Sequence, residues 1–438
     1  MAKPGQGAVD LRRIFRLSLP LAAGWILFGG ELPLLTAFMA RMGDPERQLA
    51  AYGSVVLPIT MVLEAPVLML LSASASLCTD LAAYRSLRRF TLLLTGSITI
   101  FHFILAFTPL YEFVVRTILD VPEEVVEPGR WGLRVMTPMV LALGWRRFQQ
   151  GSMVHFEYSR PVPIGASFRL LLMATVLALS LWSGKVSGIV AATSALVIGV
   201  VGEAWFMTWA AAKVLPDFLR PKSGQAESLR IRSLLKFYIP LATTPLIIMF
   251  IQPAGTAAMS RMPHALESLA AWPAVYGLVF LARGTGFAFN EVVVALLRKP
   301  NAVKALTRFA CILAAAMMTL LLVLSVTPLS GFWFKTLSGL PPELAETCSF
   351  ALLFALLMPA YQAFQSLFQG ALVHSRKTKP IFEGVVLYLC VSFLVLWWGT
   401  QWQRYTGIYF TLCAFTIGGS LQTLWLAWRA RPVLKQLA

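Results

Sequence analysis

The sequence predicts an all-α polytopic membrane protein, with twelve transmembrane helices in two parallel six-helix repeats around a central cavity. Three observations predict it. The composition is 58% hydrophobic with only 13% charged residues, against roughly 25% charged in a soluble domain. Apolar runs of about twenty residues recur along the chain, each long enough to cross a ~30 Å hydrocarbon core as a helix. The chain also repeats itself, and the repeat organises everything else.

Residues 11–20, LRRIFRLSLP, return at 231–240 as IRSLLKFYIP, each followed by Leu-Ala. At this spacing of 220, Met39, Arg41 and Met42 fall on Met259, Arg261 and Met262, and Leu49-Ala50-Ala51-Tyr52 falls on Leu269-Ala270-Ala271-Trp272. The spacing then slips to 219. Thr108-Pro109-Leu110 matches Thr327-Pro328-Leu329, and QGSMVHFEYSRP at 150–161 matches QGALVHSRKTKP at 369–380.

Backbone groups in lipid must pair within their own segment, so each apolar run is expected to be a helix. The first half gives spans at 14–38, 50–75, 90–110, 131–152, 162–182 and 187–212. The second gives 235–257, 270–296, 309–329, 348–370, 380–399 and 405–427. Arg146 and Arg147 near the end of 131–152 make that span the least apolar of the first half. Six helices return the chain to its starting side, so the halves are expected to be parallel repeats related by an axis along the membrane normal. The expected organisation is a six-helix lobe at 1–215, a cytoplasmic linker at 216–233 with Pro216, Pro221 and Gly224, and a second lobe at 234–438.

Charge supports the count. With both termini cytoplasmic in a cell membrane, the even loops and the tail carry Arg85, Arg88 and Arg89, Arg160, Arg220 to Arg232, Arg298 to Lys304, Arg376 to Lys379, and Arg429 to Lys435. The odd loops carry Asp44 and Glu46, Asp120 to Glu127, and Glu343 and Glu346. This is the positive-inside pattern. It also accounts for the formal charge of +17 without nucleic acid, since bases at the cytoplasmic edge meet anionic headgroups. No GxxxxGK[ST] pattern and no long soluble stretch leave room for a nucleotide-driven engine. The five cysteines lack disulfide or zinc spacing. Lys3, Arg12, Arg13 and Arg16 lead into a helix of the repeat rather than a cleaved signal.

Polar groups within the spans carry the functional expectations, because a charge in hydrocarbon is costly unless it faces protein or water. Glu31 lies in FGGELP, where Gly29 and Gly30 permit close approach or unwinding and Pro33 removes a donor. It either lines a cavity and takes up a proton or cation, or forms a conformational salt bridge. Glu64, before Pro66, carries the same pair of readings, and Glu203 is a weaker candidate for the same role, with snorkelling to a membrane surface as its alternative. In the second half Ile251 stands where the first has Glu31, with Gln252 beside it, and Arg283-Gly284 stand where it has Leu63-Glu64. Arg283 is the leading candidate for an anionic substrate, with a salt bridge to Glu31 or Glu64 as the alternative. Asn290 and Glu291 follow on the same helix, two turns on, which puts Asn290 near the Arg283 face. Gln149, Gln150 and His155, with Gln362, Gln365, Gln369 and His374, end the paired fourth helices; they read equally as an anion-concentrating cytoplasmic vestibule and as interfacial helix ends. No metal set, catalytic triad or cofactor motif is expected.

Together, RLSLPLAAG with GGE in the first helix, LAAYGSVV, VHFEYSRP, VHSRKTKP and GFAFNEVV (286–293) resemble the ANK (progressive ankylosis) family. That family belongs to the multidrug/oligosaccharidyl-lipid/polysaccharide exporter superfamily, with the multidrug-and-toxin extruders. The resemblance spans nearly the whole chain. It implies two six-helix lobes opening alternately to either side of a central cavity, and movement of anions such as pyrophosphate, nucleotide and citrate. Gly30-Glu31 and Glu291 match the family's acidic positions; Leu27 or Phe28 and Val292 replace an acid and an arginine that it carries.

The expected function is a secondary transporter of small organic or phosphorylated anions, working as a monomer and coupled to H+ or Na+ through Glu31 or Glu64. The alternatives are an organic-cation extruder, a lipid flippase and, from another class, a membrane-embedded enzyme or structural protein.

Overall fold

Asp10 opens the first helix by accepting the Arg13 amide at 2.8 Å, which satisfies one of the orphan donors every helix start leaves. Helix α1 then runs as two pieces, Leu11–Gly29 and Glu31–Met39, broken at Gly30. In the computed structural model, which describes residues 10–156, 158–219, 231–297, 299, 302–375, 377 and 379–437, this beginning is repeated closely. Helix α7 breaks into Ile231–Met249 and Ile251–Ser260, the same boundaries moved by the sequence spacing of 220 except for one more residue at the end.

Between them lie α2 (Pro45–Leu77), α3 (Leu81–Phe107), α4 in the pieces Glu123–Met136 and Met139–His155, α5 (Pro161–Ser183) and α6 (Gly188–Phe218). The second half follows with α8 (Ala265–Leu296), α9 (Ala302–Val326), α10 in the pieces Pro342–Phe354 and Leu357–His374, α11 (Lys379–Trp402) and α12 (Gly407–Leu437). No strand occurs among the described residues. Most of the expected linker (220–230) and the basic residues Arg220, Lys222, Arg230, Arg298 and Arg376 lie outside the described residues.

The repeat extends to backbone detail. Left-handed residues recur in pairs at the repeat spacing: Asp44 with His264, Asp120 with Gly339, and Gly184 with Gln403. The Ile189 amide at the start of α6 donates to Gln48 Oε1 at 3.0 Å, and the Ile408 amide at the start of α12 donates to Ser268 Oγ at 3.2 Å. The same helix start is capped from the same place by two different side chains.

Among the described residues, ten helices are long and apolar enough to cross a membrane, and α10 is an eleventh if its two pieces, bent by 41°, are one span. The remaining one, α4, carries Glu123, Glu124, Glu127, Arg130 and Arg134 in its first piece and Arg146 and Arg147 in its second. Large apolar side chains such as Trp182 (86% exposed) and Trp205 (67%) face outward, a surface suited to lipid rather than water. The helices run further than the apolar stretches alone. Arg85, Arg88, Arg89, Lys304, Arg429 and Arg431, expected in loops, sit within helical turns, because a helix entering the headgroup zone keeps its hydrogen bonds while its charges are solvated.

The chain packs as two units, residues up to 37 with those from 261 onward, and residues 38–260. The first helix of each sequence repeat therefore packs with the other half. In the first unit α1 lies along α8: Trp25 meets Phe287 at 4.9 Å, and a Cβ on Gly29 would come within 3.2 Å of Phe280. A core of Ile14, Phe289, Leu296, Leu306, Leu367 and Val433 ties α1, α8, α9, α10 and α12 together. In the second unit α7 packs on α2, where the Tyr238 hydroxyl donates to the Pro66 carbonyl.

Candidate functional site

In the first unit, α8 and α10 pack side by side, and a glycine makes the approach possible. A Cβ on Gly286 would stand 2.7 Å from Gln362 Cγ, so only glycine lets that side chain lie against α8. Gln362 Oε1 then accepts from the Arg283 guanidinium at 2.7 Å. Phe287 and Tyr361 flank the guanidinium carbon at 5.5 and 5.4 Å, distances at which ring faces attract a cation. One turn on, Ser366 Oγ donates to the Gly286 carbonyl at 2.7 Å, and Asn290 Nδ2 donates to the Ser366 carbonyl at 3.2 Å.

Arg283, Asn290 and Gln362 are thus brought together. Within its unit, no carboxylate among the described residues pairs with Arg283, so the expected alternative of a salt bridge to Glu31 is not formed. A half-buried guanidinium held by a neutral amide and two rings keeps its whole charge. Its Nε–H is buried and donates to no partner among the described residues.

The other sequence candidates fall as follows. Glu31, half-buried, occupies the first turn of the second piece of α1, where the helix dipole favours an acid. Glu64 is half-buried on α2, two residues before Pro66. Gln252 is buried at the start of the second piece of α7, with its Oε1 unsatisfied among the described residues; that piece packs against the part of α2 that carries Glu64. Glu291 is exposed, turned away from Asn290. Gln149 is buried and accepts from the Tyr84 hydroxyl at 3.3 Å. His155 Nδ1 lies 2.7 Å from the Ala75 carbonyl. Gln365 is buried and donates to the Gly419 carbonyl at 3.1 Å and to Gln422 Oε1 at 3.2 Å. Gln369 and His374 are half-buried at the end of α10.

Sequence reasoning missed the densest polar cluster, which sits within the second unit. Glu203 does not snorkel to an interface: it is 1% exposed and lies midway along the 31-residue α6, about 22 Å from either end. Its Oε2 accepts from Arg146 and stands 2.9 Å from Arg169 Nε, and its Oε1 accepts from Gln150 Nε2 at 3.1 Å. A glycine again makes room. A Cβ on Gly199 would meet Arg169 Cγ at 3.1 Å, so the arginine stem lies along α6 and its head reaches the acid.

The repeat explains what this cluster is. At a spacing of 219, Arg146, Arg169 and Glu203 correspond to Gln365, Tyr388 and Gln422, and Gly199 to Gly418, which lies against Tyr388 as Gly199 lies against Arg169. One half makes the contact between its fourth and sixth helices with charges, the other with amides. Arg169, eight residues inside an apolar helix, was the available signal, together with an acid in the following helix.

No protein-family model matches the sequence, and no curated protein matches it. Solved structures do, 33 chains among them. An inward-facing multidrug resistance MATE family transporter of the MOP superfamily aligns with a TM-score of 0.74 at 14% identity, over 93% of this chain and 95% of that one. A MOP superfamily transporter from Pyrococcus furiosus, whose pocket of reverse polarity is said to suggest a different function, aligns with a TM-score of 0.63 at 14% identity, over 97% of each chain. The lipid II flippase MurJ, in an inward closed conformation, aligns with a TM-score of 0.67 at 12% identity, over 95% of this chain and 89% of that one. At these identities the likeness establishes the fold.

Proposed function

We propose that the chain is a secondary transporter that moves small organic or phosphorylated anions across a cell membrane by alternating access. The observation that carries this reading is Arg283: a guanidinium within a membrane span, braced by Gln362, Phe287 and Tyr361 and matched by no carboxylate among the described residues. Charged residues within spans pair with one another or with backbone carbonyls and mark substrate pathways; a guanidinium braced by neutral groups has its fork available for a carboxylate or phosphate group. The fold supports transport, being shared with transporters and a flippase, and one of these, from Pyrococcus furiosus, is itself described as having a binding pocket of reverse polarity.

Within this reading Glu31 and Glu64 supply coupling to H+ or Na+, both termini are cytoplasmic, and the chain acts without a catalytic cofactor and as no enzyme. The ANK-like motifs of the sequence support citrate, pyrophosphate or nucleotide-like solutes. The second reading is extrusion of organic cations, favoured by the half-buried acids Glu31 and Glu64 in the spans.

Uptake into liposomes separates the two. Citrate, pyrophosphate, a nucleotide and an organic cation are each offered to sealed vesicles containing the purified protein, with and without proton and sodium gradients. Anion uptake above that of empty vesicles is expected. Cation flux with no anion flux makes the chain an extruder.

A further inference from the structure

Both units place a guanidinium on the same pair of packed helices, but from opposite partners. In the first unit it comes from α8, as Arg283. In the second it comes from α4, as Arg147, and α4 packs on α2 as α10 packs on α8. Arg147 corresponds in the repeat to Ser366, the residue beside Gly286 and Asn290.

Arg146 turns onto Glu203, whereas Arg147 turns away from it. Arg147 lies deep among protein atoms yet retains part of its accessible surface. Its Nε is buried with no hydrogen-bond partner, and no described residue forms an ion pair with it. The charged groups that act on it come from four helices: Arg146 on α4, Arg169 on α5, Glu203 on α6 and Glu64 on α2. The Glu203 carboxylate is already held by Arg146 and Arg169. These five groups therefore carry a net positive charge, and Arg147 is the guanidinium among them that forms no ion pair among the described residues.

An unpaired ion inside a protein costs several kcal/mol, and a guanidinium cannot escape that cost by releasing its proton. The planar fork of an arginine matches the two oxygens of a carboxylate or phosphate group. Arg147 lies eight residues inside the end of its helix piece at His155, about 12 Å from it.

We propose that Arg147 is a second anion-binding residue, separate from Arg283, that takes the carboxylate or phosphate group of a small solute. The proposal rests on the anion reading above for its ligand class. Glu64 is the acid on α2 that acts on Arg147, and its negative charge opposes an anion there.

Isothermal titration of the purified full chain in detergent, with citrate and inorganic phosphate as probes, tests this. Arg147→Gln weakens binding of at least one probe about ten-fold or more, the effect of losing a charge-assisted hydrogen bond of about 1.5–3 kcal/mol. Glu64→Gln tightens it. Arg147→Lys, which keeps the charge and loses the fork, binds more weakly than wild type and serves if Arg147→Gln does not fold. Wild-type affinity for both probes in the Arg147 variants overturns the inference. Arg283→Gln, run alongside, separates the two claims. Loss in Arg283→Gln alone leaves the first site and removes the second. Loss in Arg147→Gln alone keeps the second and removes the first. No probe binding to wild type removes both.

Discussion

Glu203 shows what a single residue costs and how the molecule answers that cost. With 1% of its surface exposed and two arginines on it, removing its charge strands two buried cations. Such a cut is expected to destabilise by about 3–5 kcal/mol. The triple change Arg146→Gln, Arg169→Tyr and Glu203→Gln copies the corresponding set Gln365, Tyr388 and Gln422. It is expected to recover most of the loss, because a matched neutral set replaces a matched ionic one. Thermal unfolding of the detergent-solubilised protein checks this; a triple variant no more stable than Glu203→Gln refutes the equivalence. Cys78, just beyond the end of α2, offers a simpler test. Burial pushes its thiol up to about 11, with Asp80 adding to the effect against a hydrogen bond from Ser152. The thiolate is the reactive form, so a maleimide is expected to modify Cys78 at neutral pH only once the protein is unfolded. Mass spectrometry of native and denatured samples reads the outcome directly.

At the scale of helices, glycines set how closely the site-bearing elements approach. Gly199→Val drives a side chain into Met173, whose Cγ would lie 2.6 Å from the new Cβ, and into the Arg169 stem. The expected loss is about 1–3 kcal/mol from overpacking between α5 and α6. Gly96 on α3 has nothing within 4 Å of such a Cβ, and Gly96→Ala is expected to stabilise by up to about 1 kcal/mol through helix propensity. Unfolding temperatures moving in opposite directions for the two variants confirm the packing. The elements themselves were legible in the sequence. The break at Gly30 followed from FGGELP, and the repeat carried it to Phe250 without a glycine there. Asn290 was correctly set on the Arg283 face by spacing along one helix. The cluster around Glu203 was not legible in the same way. Arg146 and Glu203 are far apart in sequence, and hydropathy scores a lone charge as a fault in a span. It has no means of showing that two such faults meet.

The whole molecule joins two sequence repeats whose scaffold agrees and whose polar residues differ. Turn conformations, helix breaks and the capping of α6 and α12 are shared. Glu31 against Ile251, Glu64 against Gly284, Leu63 against Arg283 and Arg147 against Ser366 are not. Symmetric scaffolding supplies two units of one fold, and the asymmetric substitutions supply a charge that only one unit carries at each place. On this account Arg283 is the residue through which the molecule selects anions. The most direct test is initial uptake of radiolabelled citrate and pyrophosphate into liposomes containing wild-type protein, Arg283→Ala or Arg283→Lys, each checked for folding by gel filtration. The account predicts that alanine lowers anion uptake about ten- to a hundred-fold, the equivalent of about 1.5–3 kcal/mol of charge-assisted hydrogen bonding, and that lysine restores part of it. Wild-type uptake rates in folded Arg283→Ala would contradict it.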